Sequence, residues 1–235
     1  GIAAGLATTG KVPFVVTYAI FGSMRAVEQI RQETCYTKLN VKILCSHGGL
    51  TPANDGASHQ CVEDMGILRT IPNMTVIMPA DYNSARKLIA AAYKYNGPVY
   101  LRFTRDAIPC IYGEDEEFEI GKAKCLKEGK DLTIMANGDT VSIALEAAKK
   151  LEEEGIHAQV YDFHTIKPLD VDAVNKAIED QSNKFLNASK RFSAASETLE
   201  KVGSGMSDIG GKIAMLSSPL LLFGTYASNA GITFE

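Results

Sequence analysis

The chain has no tryptophan, only eight prolines, and five cysteines spread over positions 35, 45, 61, 110 and 125 without a CxxC pair. That cysteine pattern excludes both a zinc ribbon and a dense disulfide framework, and it fits free thiols in a reducing cytoplasmic setting. Neither charge sign dominates: the formal net charge is -4 with 22% charged residues, so no basic footprint for nucleic acid or for an acidic membrane surface is present. The N-terminus, GIAAGLATTG, has no basic n-region of a secretory leader and reads as the end of a helix. With 46% hydrophobic residues over 235 positions, the chain can bury one large core or two small ones. A small-molecule partner is the expectation.

What the sequence does have is alternation. Residues 12–19, 41–46, 75–80 and 98–104 are β-rich apolar runs with almost no polar alternation, the pattern of strands buried on both faces. Between them lie helical stretches at 23–36, with apolar residues at 24, 27 and 30, and at 81–95, where Asp81 is the N-cap candidate. This predicts an α/β fold with a parallel sheet over residues 1–112. After the acidic linker 112–121, strands at 131–136 and 157–163 and helices at 140–155 and 171–180 predict an incomplete second α/β domain over 113–180. From 181 to 235 the composition becomes Ser/Lys-rich with helical spacing, then uncharged between Lys212 and Glu235, and a mainly helical tail is expected. The uncharged run is long enough to span a bilayer, yet it contains Pro219 and Asn229, which favours a loose apolar helix or hairpin over a span.

One loop stands out. SHGGLTPANDGASHQ, residues 46–60, leaves the C-terminal end of a predicted strand, where ligands bind in doubly wound sheets. It carries His47, Asp55 and His59, able to converge on a polar ligand and to exchange protons near neutral pH. Alternatives stand beside that reading: surface histidines, a metal site, or a plain Asn54-Asp55-Gly56 turn with Asp55 bonding its own backbone.

The order of motifs carries more. TYAIFGSMRAVEQIR, then SHGGLTPANDGASHQCVEDMGILRTIPNMTVIMPAD, then GPVYLRFTRDAIP resembles the pyrimidine-binding domain of transketolases. GKDLTIMANGDTVSIALEAAKKLEEEGIHAQVYDFHTIKPLD resembles the start of their C-terminal domain. The resemblance implies a thiamine diphosphate enzyme that moves a two-carbon ketol unit between sugar phosphates, with the cofactor lying across an interface in a dimer or hetero-oligomer. By motif, Tyr18 and Phe21 would pack on the pyrimidine ring, His47 and His59 would face the reacting carbon and sugar hydroxyls, Asp55 would bond a hydroxyl and Arg105 would grip the substrate phosphate. The plain alternatives are strand-end burial for Tyr18 and Phe21, and a structural salt bridge to Asp106 for Arg105. Related thiamine enzymes, deoxyxylulose-phosphate synthases and dehydrogenase β subunits, are the competing family readings; the synthases carry Arg where this chain has His47.

The resemblance also marks what is not matched. The family's glutamate that promotes loss of the thiamine C2 proton precedes the segment matching GIAAGLATTG, and Glu28 and Glu33 belong to a later helix. The diphosphate-binding domain with its Mg2+ site is not matched either, so no metal ligand is assigned here and Mg2+ is expected on a partner domain or subunit. The expectation is therefore a section truncated at both ends and inactive by itself. Residues from about 183 to the end resemble, weakly, the early region of phage tail tape-measure proteins, which leaves a structural chimera as a further alternative.

Overall fold

In a computed structural model, which describes residues 1–180 and Lys190, the chain alternates strands and helices from its first turn. Helix α1 (Ile2–Thr8) leads into β1 (Phe14–Tyr18). A helical segment follows, made of a wide π turn Phe21–Arg25, a short α2 (Val27–Gln29) and a second wide turn Ile30–Tyr36. Then come β2 (Lys42–Ser46), α3 (Asp64–Thr70), β3 (Thr75–Ile77), α4 (Tyr82–Lys94) and β4 (Val99–Arg102). The second stretch contributes β5 (Lys124–Lys127), β6 (Leu132–Ala136), α5 (Thr140–Glu153), β7 (Ala158–Asp162) and β8 (Thr165–Lys167), with residues 171–180 helical. The expectations for 181–235, including the apolar run and the tape-measure resemblance, lie outside the described residues. Among the described residues no helix is long and apolar enough to cross a membrane.

The first sheet runs β1-β2-β4-β3-β8, and its first four strands are parallel, as the strand-helix-strand alternation requires. β3 and β4 are buried along their whole length. β1 departs from the expected two-sided burial: its exposure alternates, with Phe14, Val16 and Tyr18 at 39%, 73% and 37%. It is an edge strand, and one of its faces is left largely open by the described residues; Tyr93 of α4 reaches only as far as Phe14.

The helix after β1 is held close to β2. Ser23 Oγ donates to the Ala19 carbonyl at 2.7 Å and lies 3.3 Å from Cys61 Sγ, while a Cβ on Gly22 would sit 2.7 Å from Cys45 Sγ. Only glycine admits that approach. At α4 the expected cap is present in full: Ser84 N donates to Asp81 Oδ1 at 2.8 Å, and Asp81 N donates to Ser84 Oγ at 2.9 Å. The second Asp81 oxygen accepts from the backbone N–H groups of Ile111 and Tyr112, which fastens the start of the acidic segment to α4.

That acidic segment is more than a tether. Tyr112 and Phe118 are buried, packing edge-on at 4.8 Å, and Phe118 meets the buried His164 ring at 5.4 Å. β8, which local sequence pattern does not predict, pairs antiparallel with β3, so the later part of the chain completes the first sheet. β5 is likewise unexpected; its lysine-rich sequence pairs antiparallel with β7 in the second sheet, ordered β5-β7-β6. Strand pairing overrides a weak local propensity there.

Asp162, at the end of β7, is wholly buried and accepts a 2.8 Å hydrogen bond from Tyr112 Oη at one oxygen; its other oxygen has no partner. Burial pushes its pKa from 3.8 up to about 7, against the opposing Tyr112 bond. Because the folded chain binds this proton more tightly than the unfolded chain, the stabilisation is complete below about pH 4 and is lost as pH rises through about 7. The span of roughly three pH units corresponds to about 4 kcal/mol at most. Asp162→Asn is therefore expected to stabilise the chain at about pH 8 by about 1–3 kcal/mol and to flatten the pH dependence between about pH 4 and 7. Urea unfolding of both proteins across that range checks it, and identical slopes would contradict it.

Candidate functional site

Parallel strands with right-handed crossovers bring their C-terminal ends to one edge, and register decides what meets there. Tyr18, the last residue of β1, is level with Ser46, the last of β2, and Cys45 is level with Arg102 at the end of β4. The segments leaving these ends carry Phe21, His47 and Arg105 into one neighbourhood. The loop over residues 47–60 is closed by a short bridge in which Gly49 N donates to the Cys61 carbonyl at 2.6 Å and Cys61 N donates to that of Gly49 at 3.1 Å.

All six residues singled out in the sequence converge. The Tyr18 ring stacks on His47 with centroids 4.0 Å apart and lies 5.6 Å from His59. Phe21 meets His59 edge-on at 5.7 Å and Tyr18 at 5.8 Å. Asp55 Oδ2 faces His47 Nε2 at 3.8 Å and Arg105 Nε at 3.5 Å. Asp55 thus spends its carboxylate on side chains of the site, and Arg105 pairs with Asp55 where the sequence suggested Asp106 as a structural partner. The loop folds back through the 3-10 turn Ala53–Asp55, which brings Asp55 over residues that precede it by eight positions in one direction and follow it by fifty in the other.

Several contributors were not singled out in the sequence. Ser46 Oγ lies 2.9 Å from His47 Nδ1, and Ser58 Oγ lies 3.0 Å from His59 Nδ1. Each hydroxyl engages the inner ring nitrogen, so the outer Nε2 of each histidine is turned to the rest of the site, that of His47 toward Asp55. The repeated Ser-His dipeptide was the available signal. Thr51 Oγ1 accepts from Arg105 N at 3.0 Å and fixes the start of the Arg105 segment against the loop. Below the loop, Arg102 Nε donates to Asp64 Oδ2 at 3.0 Å, and Tyr100 Oη donates to the same oxygen at 2.7 Å. A pair 38 residues apart in sequence has no local signature.

Chemically, the site offers two flat aromatic faces, two imidazoles, of which His47 turns its outer nitrogen to Asp55, one carboxylate and one half-exposed guanidinium. Such a set suits a planar heteroaromatic ring beside a polyhydroxylated anion. Among the described residues no group of three or more His, Cys, Asp or Glu side chains forms a metal cluster.

Comparison with known proteins identifies the family. Residues 1–110 match the family model for the transketolase pyrimidine-binding domain, and residues 121–222 match that for the transketolase C-terminal domain. A protein of Methanocaldococcus jannaschii, provisionally named a transketolase C-terminal section, is 48% identical over 190 residues, covering 77% of this chain and 60% of that protein. One of the subunits of the apulose-4-phosphate transketolase of Phocaeicola vulgatus is 44% identical over 181 residues, covering 77% of this chain and 58% of that protein. A solved structure described as a split-gene transketolase in an inactive β4 tetramer superposes with a TM-score of 0.71 at 45% identity, over 76% of this chain and 58% of the other. The chain thus spans about three-fifths of the length of these relatives.

The two arginines of the site differ in what their loss should cost. Arg102→Ala strands the buried Asp64 carboxylate and is expected to lower unfolding free energy by about 3–5 kcal/mol. Arg105→Ala removes a half-exposed partner and is expected to cost less than about 1 kcal/mol. Denaturant titration of the two variants checks the contrast, and equal losses would contradict it.

Proposed function

This chain belongs to the transketolase family, and from that premise we propose that it supplies the pyrimidine-facing and sugar-facing wall of a thiamine diphosphate site transferring a two-carbon ketol unit between sugar phosphates. The observation that carries the reading is the convergence of Tyr18, Phe21, His47, Asp55, His59 and Arg105 at the C-terminal edge of one parallel sheet. When bound, thiamine diphosphate supplies a carbon centre able to stabilise a carbanion, chemistry that amino-acid side chains lack.

The chain's own residues do the positioning. Tyr18 and Phe21 offer flat apolar surface to the aminopyrimidine ring, and Tyr18, stacked on His47, is still 37% exposed. His47 and His59, with their inner nitrogens occupied by Ser46 and Ser58, direct Nε2 toward the hydroxyl and carbonyl oxygens of the sugar, where they donate or accept a proton. Asp55 accepts from a sugar hydroxyl and holds His47 and Arg105 at the same end of the site. Arg105, half exposed, offers a planar fork to the substrate phosphate.

We propose further that the diphosphate and its Mg2+ are held by a partner protein, that the assembly is an oligomer, and that the 235 residues by themselves do not catalyse. The open face of β1 supports a partner, because an apolar strand face ending at the site needs a cover. The names of the relatives support it too: one is a single subunit of a transketolase, and the split-gene structure is of an inactive tetramer. His47 favours ketol transfer over the synthase reading, in which an arginine stands at that place.

The test is reconstitution. The chain, the diphosphate-binding component of a split transketolase, thiamine diphosphate and Mg2+ are expected to transfer ketol units from ketose phosphates together, and the chain alone to transfer none. Arg105→Ala should raise KM for a phosphorylated acceptor about 10- to 100-fold, with a smaller change in kcat. Transfer by the chain alone, or a preference of the complex for pyruvate, would contradict the reading.

A further inference from the structure

Beneath the His47 loop lies a buried polar set to which the ketol-transfer reading gives no task. Asp64 and Tyr100 are fully buried and Arg102 is 7% exposed. The Asp64 carboxylate takes both of its hydrogen bonds at Oδ2, from Arg102 and Tyr100, and its Oδ1 has no partner. Arg102 Nη1 lies 3.2 Å from Met78 Sδ, so its other end is enclosed as well. Buried ion pairs seldom add net stability over apolar residues, and their better-attested use is to fix one arrangement among several.

What this pair fixes is visible above it. The backbone at Gly48 rests on the Arg102 side chain so closely that a Cβ there would sit 2.3 Å from Nε and 2.7 Å from Cζ, and one on Gly49 would sit 3.0 Å from Nη2. His47, directly before them, has a φ of 63°, a conformation that non-glycine residues seldom adopt unless their surroundings impose it. Gly48 N donates to the Phe103 carbonyl at 3.0 Å, locking the loop's entry to the strand that carries Arg102. Asp64 arrives from the other end, as the first residue of α3, three residues beyond the Cys61 bridge that closes the loop. The ion pair therefore joins the loop's exit to the sheet edge at its entry.

We propose that the Asp64–Arg102 pair is the positioning element of the site: its guanidinium is the surface that sets the Gly48–Gly49 backbone and thereby holds the His47 imidazole against Tyr18. Arg102 is a positioning residue and touches no substrate. The consequence for turnover rests on the ketol-transfer reading; the consequence for His47 does not.

The experiment uses the full chain and the ring protons of His47 in NMR, assigned by their loss in His47→Gln. With the Tyr18 ring centroid 4.0 Å away, its ring current displaces these lines from their free-histidine positions. Arg102→Lys keeps the charge but loses the planar fork, and Gly48→Ala keeps the ion pair but drives a methyl into it. Both variants are expected to return the His47 lines toward free-histidine positions. In the reconstituted complex both should lower kcat about 10- to 100-fold while KM for the ketose changes by less than about 3-fold. Unmoved His47 lines in either folded variant overturn the proposal, and if Arg102→Lys does not fold, Gly48→Ala decides. The NMR readout needs neither cofactor nor partner. Moved lines leave the positioning role standing even if the complex proves to use another donor, and unmoved lines sink it even if ketol transfer is confirmed.

Discussion

The Gly48 backbone lies directly on a buried guanidinium, and the rest of the site is arranged around that contact. A glycine is required there because a single added carbon would overlap Arg102, and Arg102 is held by its buried 3.0 Å ion pair with Asp64. From this floor the loop rises with His47 in a left-handed turn, passes over Asp55, and returns through the Gly49–Cys61 bridge to α3. The loop's shape is thus set from below by charge and close packing. Its composition, rich in Gly, Pro and Asn, permits that shape without specifying it.

The same edge shows how a parallel sheet gathers chemistry from distant parts of a chain. Tyr18, Ser46 and Arg102 end neighbouring strands, so the residues just after them share one edge of the sheet although they are tens of positions apart. Asp55 then organises the polar half by facing both His47 and Arg105, and Tyr18 organises the aromatic half by stacking on one histidine and lying beside the other. The proposed occupants, a flat ring and a phosphorylated sugar, would need these two halves side by side. The open face of β1 begins at that aromatic half, which makes the site continuous with the surface where a partner would sit.

Much of the architecture was legible in the sequence because its signals are local. Uninterrupted apolar runs marked β2, β3 and β4, the Asp81 cap marked α4, and the strand-loop transition at 46 marked the candidate site loop. The missing pieces are those whose reasons are non-local. β5 is lysine-rich and exists because β7 offers it a hydrogen-bonding edge. β8 is three residues long and exists because β3 does. β1 looked like its neighbours in sequence, yet it lies at the sheet edge, and an edge strand's exposure depends on what covers it.

The sequence by itself determined the fold class and, through the order of its motifs, the family, and it singled out the six candidate residues, because apolar periodicity and motif order are properties of the chain in one dimension. Only the tertiary structure decided that Arg105 faces Asp55, that serines occupy the inner nitrogens of both histidines, and that a buried Asp64–Arg102 pair carries the loop. Those contacts depend on which side chains the sheet register and the loop closure bring within reach. Distance in space, which spacing along the chain does not encode, sets every one of them.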